Sequence, residues 1–307
     1  MPTSSEPVSL RWPGRSPVAL PQPGLALQAR SGAATHPESL IVQGEHLAVL
    51  SALLPSLEGQ VDLVYVDPPF DTGRAFRDTD GREAYSDRTG PGQWLTALEG
   101  LLVLVRRILS PEGSLILHCD HRRAHHAAVL CDELFGAGAR GTDPRSPGFR
   151  NELVWCYGLG GSSPRYYPRK HDTLLWYTKG RAWHFEAPRV AARSRRMAGK
   201  TKKVPDWWDL PSLNNMAAER TGYPTQKPLA LLERIIRAHT RPGARVLDPC
   251  CGSGTTPVAA HRLGRSFVGI DQGALAVETT LERLAAEGCV PRVQEAHTAS
   301  EEPSALP

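Results

Sequence analysis

Four short apolar runs, each with an aspartate at or near its end, constrain this chain more than any other feature. They are "VDLVYVD" (61–67), "SLILHCD" (114–120), "RVLDPC" (245–250) and "SFVGID" (266–271). Runs of this length without polar alternation are the pattern of strands buried on both faces. Around them lie longer stretches with helical spacing, at 93–109, 122–136, 226–239, 255–264 and 274–288, and further strands are expected at 151–157 and 171–179. Strands alternating with helices predict an α/β fold, a mostly parallel sheet with helices on both faces. Ligands of such sheets sit beyond the carboxyl ends of the strands. Asp67, Asp120, Asp248 and Asp271 all fall at such ends.

Two of these ends carry unusual chemistry. "VLDPCCGSGTTPVAA" (246–260) runs from strand through an acid and a glycine turn into a helix. Gly252 and Gly254 are expected to let backbone approach a ligand closely, with Thr255 and Thr256 capping the helix. Asp271 ends the next strand, where an acid can hold ribose hydroxyls. Together these residues describe a nucleoside-cofactor site. The turn lacks the Gly-Lys-Ser/Thr of a phosphate-binding loop, and it is not the three-glycine dinucleotide pattern. Cys250 and Cys251 read as small apolar fillers rather than thiolate nucleophiles.

The other end is "DPPF", Asp67 to Phe70. An exocyclic amine on a nucleic-acid base is a poor nucleophile, because its lone pair is spread into the ring. A site that accepts hydrogen bonds from both amine hydrogens pulls that nitrogen toward tetrahedral geometry. Asp67 can supply one acceptor and the Pro68 carbonyl the other, aimed by a ring that fixes the backbone. Pro68 and Pro69 bring no competing N–H. Phe70 offers a flat face for a base that has left its duplex.

Composition narrows the setting. The 307 residues suffice for a large core, and no stretch of about 18 apolar residues reads as a membrane span. The start of the chain does not read as a signal peptide. The cysteines, Cys119, Cys131, Cys156, Cys250, Cys251 and Cys289, form no C-x-x-C pair. No metal is expected on that ground, and the scatter suggests a reducing cytoplasm. Residues 1–36 and 291–307 read as disordered tails around a single domain at 37–290. Net charge is only +4, but Arg181, Arg189, Arg193, Arg195, Arg196, Lys200, Lys202 and Lys203 crowd one segment with Glu186 as its one acid. That excess favours a phosphate-contacting insert. Trp207 and Trp208 at its end read equally as core or as DNA contacts.

"DPPF" followed much later by "LDPCCGSGTT" resembles the S-adenosylmethionine-dependent DNA amino-methyltransferases. The order, catalytic motif first, resembles their β group, a permuted Rossmann-like methyltransferase fold. "LIVQGEHLAVLSALL" (40–54), "KHDTLLWYTKG" (170–180) and "ERTGYPTQKPLALLERII" (219–236) agree, so the similarity spans roughly 38–287. The resemblance implies catalytic roles for Asp67, Pro68, Pro69 and Phe70. It implies S-adenosylmethionine contacts for Asp248, Cys250, Gly252, Gly254, Thr255 and Asp271, with Thr225 and Lys227 near the methionine part and Lys227 facing its carboxylate. It divides the domain into a catalytic half (37–180), a target-recognition segment (181–221) and a cofactor half (222–290). Arg193, Arg195, Arg196, Lys200, Lys202 and Lys203 would then meet double-stranded DNA. A restriction endonuclease partner and a homodimer are also known in the group. The chain departs from the pattern at Cys250, where relatives commonly have Phe, at Asp71, where Asn often stands, and at Glu45 in "GEH".

The reaction so implied is methyl transfer to adenine N6 by base flipping and direct displacement, without a metal. Asp with Phe at the fourth position favours adenine over cytosine N4, whose enzymes in this group more often show Ser-Pro-Pro-Tyr. A DNA-binding regulator without catalysis and a structured-RNA methyltransferase are the rival readings.

Overall fold

The computed structural model describes residues 9–19, 25–30, 32–87, 89–141, 143–158, 162–192, 196, 198–214 and 216–298. In chain order the strands are β1 (Leu25–Ala29), β2 (His36–Gln43), β3 (Val61–Val66), β4 (Arg74–Arg77), β5 (Glu83–Asp87), β6 (Leu109–Cys119), β7 (Gly148–Cys156), β8 (His171–Thr178), β9 (Arg189–Ala191), β10 (Thr201–Lys203), β11 (Trp207–Asp209), β12 (Arg245–Asp248), β13 (Ser266–Asp271) and β14 (Pro291–Thr298). The helices are α1 (His46–Leu57), α2 (Pro91–Ile108), α3 (Ala124–Phe135), α4 (Leu229–His239), α5 (Thr255–Arg262) and α6 (Ala274–Ala286).

Ten strands form one sheet in the order β1-β14-β2-β13-β12-β3-β6-β8-β7-β11. The run from β14 to β6 is parallel, and β8 turns antiparallel between β6 and β7. The three helices α1, α2 and α3 bury their apolar faces on one side of the sheet, and α4, α5 and α6 on the other. In α2 the buried positions include Trp94, Leu95, Leu98, Leu101, Leu102, Val105 and Ile108, the three-to-four spacing that selects a helix. Pro91 starts this helix where no N–H is needed, and Arg106 and Arg107 sit in its last turn, favourable to the helix dipole.

The permuted order has a direct structural consequence. The strands β3 and β12, far apart in sequence, pair in parallel through Leu63–Val246 and Val64–Leu247. From β3 the chain crosses by α2, on one face, to β6; from β12 it crosses by α5, on the other face, to β13. The connections part at this seam, so a crevice opens beyond its carboxyl end.

Both ends of the chain need correction. Residues 25–29 and 291–298 are not tails: β1 pairs with β14 antiparallel, and β14 pairs with β2 in parallel. Upstream, Arg15 bridges Glu99 and Glu133, each at 2.6 Å, and Leu10 and Trp12 pack on the core. Polar residues along both strands hide the pairing, because neither reads as an unbroken apolar run. Residues 1–8 and 299–307 lie outside the described residues.

Candidate active site

A cavity of about 530 Å³ occupies the crevice. Asp67 and Phe70 line it from the end of β3, Asp248 and Cys250 from the end of β12, and Asp271 from β13. The β4–β5 hairpin adds Phe76, Tyr85 and Asp87, and Tyr223 to Lys227 form a further wall.

Asp67 is held at one oxygen and unpartnered at the other. Its Oδ2 accepts from the Lys227 ammonium at 2.5 Å. Its Oδ1 is buried without a hydrogen-bond partner among the described residues. A buried carboxylate oxygen left so is costly unless something comes to fill it. The Pro69 carbonyl is occupied by Trp94 Nε1 at 2.6 Å, whereas the Pro68 carbonyl has no donor among the described residues. Lys227, expected to face the cofactor's carboxylate, thus points its ammonium at Asp67 instead.

The turn after Phe70 is fixed by acids. Asp71 adopts φ 54°, a left-handed conformation that Asp and Asn tolerate better than most residues. Its carboxylate accepts from the backbone of Thr89 and Gly90 and pairs with Arg123, while Asp87 accepts from the backbone N–H groups of Asp71 and Thr72. Asp in place of Asn therefore costs nothing here: the extra charge has its own arginine. Glu45 also has a defined task, capping α1 by accepting from Leu47 and Ala48.

Behind Asp67 lies a polar layer that the sequence did not announce. His118 is fully buried. Its Nδ1 is 2.7 Å from the Tyr65 hydroxyl and its Nε2 3.1 Å from Asp172 Oδ2. With Asp172 accepting the Nε2 proton, Nδ1 is left to accept from Tyr65. At 3.8 Å that Nδ1 is beyond hydrogen-bond reach of Asp67 Oδ1, which stays unpartnered. The same imidazole packs against the rings of Phe70 and Trp155. Histidine at the end of "LILHCD" was the visible signal, a polar residue inside an apolar strand.

The cofactor half is built differently from the sequence expectation. Asp271 accepts from Gly252 and Gly273 backbone N–H groups through separate oxygens, which keep further lone pairs for a ligand. Gly252, at φ 51°, is on the cavity wall. Gly254 is not: a Cβ there would meet Thr280 of α6 at 2.5–2.8 Å, so this glycine serves helix packing rather than ligand approach. The threonines do not cap α5 either. The Thr256 hydroxyl donates to Asp248 Oδ2 at 2.5 Å and Thr255 to the Lys227 carbonyl at 3.0 Å. Cys250 lines the cavity and Cys251 is buried, both as thiols whose ionisation burial opposes. The backbone turn, the acid of β13 and a cavity of small-molecule size fit a nucleoside-bearing methyl donor.

The DNA methylase family that groups N6 and N4 enzymes matches residues 61–282. The chain belongs to this family. Among its curated relatives, the DNA adenine methyltransferase YhdJ of Escherichia coli K12 is 28% identical over 80% of this chain and 82% of its own. The Type II methyltransferase M.HpaI of Haemophilus parainfluenzae is 27% identical over 78% of this chain and 72% of its own. The solved structure of the M1.HpyAVI–SAM complex aligns with a TM-score of 0.57 at 24% identity, covering 80% of this chain and 98% of its own. The cytosine-N4-specific PvuII DNA methyltransferase gives 0.58 at 16%, covering 81% and 88%. Both share the fold.

In this methylase the basic segment is no separate domain. The strand β11 joins the large sheet beside β7, and Trp208 is buried against the core with Arg234 over its ring. Trp207 is 58% exposed, so of the two only Trp208 is a core residue. The strands β9 and β10 form a hairpin that exposes Lys202 and Lys203, with Lys200 and Arg196 exposed beside it. Arg193 and Arg195 lie outside the described residues. Ser212, Leu213 and Arg220 carry the segment to the cavity wall.

The site also sets a pH dependence. Burial, opposed by the bonds from Thr256 and Cys250, pushes the Asp248 carboxyl up to about 7. An unfolded aspartate titrates near ~4. The folded state thus holds this proton more tightly. The contribution is full below about pH 4 and is lost as pH rises through about 7. The free methylase should lose on the order of 4 kcal/mol from this residue across that window. Denaturant melts at a series of pH values check it: Asp248→Asn should flatten the slope between pH 4 and 7, and an unchanged slope would refute the assignment.

Proposed function

We propose that this methylase transfers the methyl group of S-adenosylmethionine to the N6 amine of adenine in duplex DNA, with the target base turned out of the helix into the cavity. The buried, unpartnered Oδ1 of Asp67 carries the reading. When bound, S-adenosylmethionine supplies a methyl group made electrophilic by a positively charged sulfur.

The chain's own groups do the rest. Asp67 Oδ1 and the Pro68 carbonyl accept the two amine hydrogens and turn the nitrogen's lone pair outward. Lys227 fixes Asp67 through Oδ2, so the carboxylate cannot rotate away. Phe70 stacks on the base, and its own tilt is held by His118. The proton shed by the methylated nitrogen leaves through Asp67 to water. Asp248, Cys250, Gly252, Thr255, Asp271 and Thr225 hold the donor, with Gly254 keeping the turn in shape. The catalysis is mostly alignment. Arg196, Lys200, Lys202 and Lys203, together with Arg193 and Arg195, contact phosphates, so binding weakens as salt rises. No helix among the described residues is long and apolar enough to cross a membrane, and cytoplasmic DNA is the partner on this reading. A cognate restriction endonuclease and a second copy of the chain are the further partners it suggests, the Type II names of relatives such as M.HpaI supporting the first.

The "DPPF" tetrapeptide and the adenine-modifying name of YhdJ favour adenine. The test is labelled methyl transfer to unmethylated duplex DNA and to structured RNA, followed by digestion and mass spectrometry. N6-methyladenine in duplex DNA is expected; N4-methylcytosine alone, or label in RNA alone, overturns the proposal. Phe70→Ala should lower kcat/KM for duplex DNA by about 10- to 100-fold, the worth of one base stack. A change below about threefold would take Phe70 out of base binding.

A further inference from the structure

At the opposite edge of the sheet from the cavity, three metal-ligating side chains converge from distant parts of the chain. They are His36 at the start of β2, His261 in the last turn of α5 and Cys289 just before β14. Among the described residues this is the one group of its kind, and its three candidate ligand atoms all lie within 4.8 Å of one another. We propose that His36, His261 and Cys289 form a zinc site, with water at the fourth position.

The surroundings are those of a held site. Thr35 and His36 both donate backbone N–H groups to the Val290 carbonyl, at 3.0 and 3.1 Å, and Val290 donates back to the Thr35 hydroxyl at 3.1 Å. These bonds lace His36 to the residue after Cys289. His261 Nε2 is 3.3 Å from the Glu287 carbonyl, and Glu287 is itself clamped by Arg262 at 2.6 Å. His36 Nδ1 is 2.9 Å from the Thr35 hydroxyl. Each imidazole has one nitrogen engaged by an outer partner, the kind of bond that orients metal-bound histidines. The two rings meet edge to face with centroids 4.8 Å apart.

Donor chemistry selects the ion. Two imidazoles and one thiolate suit zinc, and hard oxygen-seeking cations are disfavoured. Zinc bonds of about 2.0–2.3 Å put tetrahedral donors about 3.5 Å apart, so closure asks little more than ~1 Å of side-chain movement. Cys289 is 1% exposed while both histidines are half-buried, which gives the ion a path in from the histidine side. Binding replaces the S–H bond by a sulfur–zinc bond, and the proton leaves to solvent. No sequence spacing rule finds this site, because its ligands are separated by most of the chain. The ion would pin the starts of β2 and β14 to α5, far from the methyl-transfer chemistry.

The test uses the full chain, stripped with a chelator and titrated with cobalt(II) as a coloured stand-in for zinc. One cobalt per chain should bind, with a thiolate-to-metal charge-transfer band that zinc then bleaches. The band should vanish in Cys289→Ser and weaken at least 10-fold in affinity in His36→Gln. Zinc at a hundredfold excess over its Kd should raise the melting midpoint by about 5 °C in the wild type, by about half of that or less in His36→Gln, and not at all in Cys289→Ser. If Cys289→Ser fails to fold, His36→Gln, at a half-exposed strand end, decides alone. No band in the wild type overturns the proposal, as does a band of unchanged affinity in the variants, since the thiolate would then belong to another cysteine.

Discussion

Asp67→Ala should reduce kcat for methyl transfer on the order of 10³-fold, with cofactor affinity changed little and the fold intact. The size follows from losing a positioned acceptor at the reacting nitrogen. Asp67→Asn is the sharper variant. An asparagine keeps one oxygen and gains an amide NH2. The Lys227 ammonium, 2.5 Å from Oδ2 in the wild type, will claim the oxygen. The NH2 must then take the place of Oδ1, donor against the donor amine of the base. Asp67→Asn should therefore be as inactive as Asp67→Ala despite its near-identical shape. Adding Lys227→Met removes that constraint, lets the amide flip, and should recover about 10-fold over Asp67→Asn alone. Single-turnover rates on duplex DNA, with thermal melts as folding controls, measure all four proteins. An Asp67→Asn enzyme within a few-fold of wild type would show that the unpartnered oxygen is not what holds the amine.

The parts of this site that could be read from sequence are the local ones. "DPPF" and "DPCCGSGTT" are contiguous, and their acids fall at strand ends by position alone. The α/β alternation was legible because strands buried on both faces read as unbroken apolar runs. What stayed hidden was assembled across the sheet. Tyr65, His118 and Asp172 lie on β3, β6 and β8, neighbouring strands, and meet only because of that strand order. Lys227 reaches Asp67 from the loop before α4. The β4–β5 hairpin, which walls the cavity, is polar on its open face and gave no apolar run to read. Strands β1 and β14, the outermost two on one side of the sheet, failed for a related reason, since neither is an unbroken apolar run. Gly254 shows the subtler failure. Its place in a glycine motif suggested ligand approach, but its partner is a threonine on a helix two elements later.

That partner makes Gly254→Val the variant with the largest expected effect on stability. Two separate costs meet there. The residue sits at φ 76°, a left-handed conformation that costs a side-chain-bearing residue about 1–2 kcal/mol. Its new Cβ would also lie 2.5 Å from Thr280 Oγ1 and 2.6 Å from Thr280 Cγ2. Overpacking of this kind costs about 1–3 kcal/mol more. Thr280 has little freedom to yield, because it is fully buried and its hydroxyl donates to the Gly252 carbonyl at 3.0 Å. Moving it would break the bond that holds the turn against α6. A loss on the order of 4 kcal/mol and a melting midpoint lower by about 10 °C are expected. S-adenosylmethionine affinity should fall with it, since Gly252 is carried by the same turn. Gly264→Ala separates the two costs: at φ 69° with nothing within 4 Å of a built Cβ, it bears strain alone and should lose only ~1 kcal/mol. Gly254→Val combined with Thr280→Ala should recover part of the packing loss and none of the strain, because the Thr280 Cβ itself stands 2.8 Å away. Equal losses in Gly254→Val and Gly264→Ala would return Gly254 to a purely conformational role.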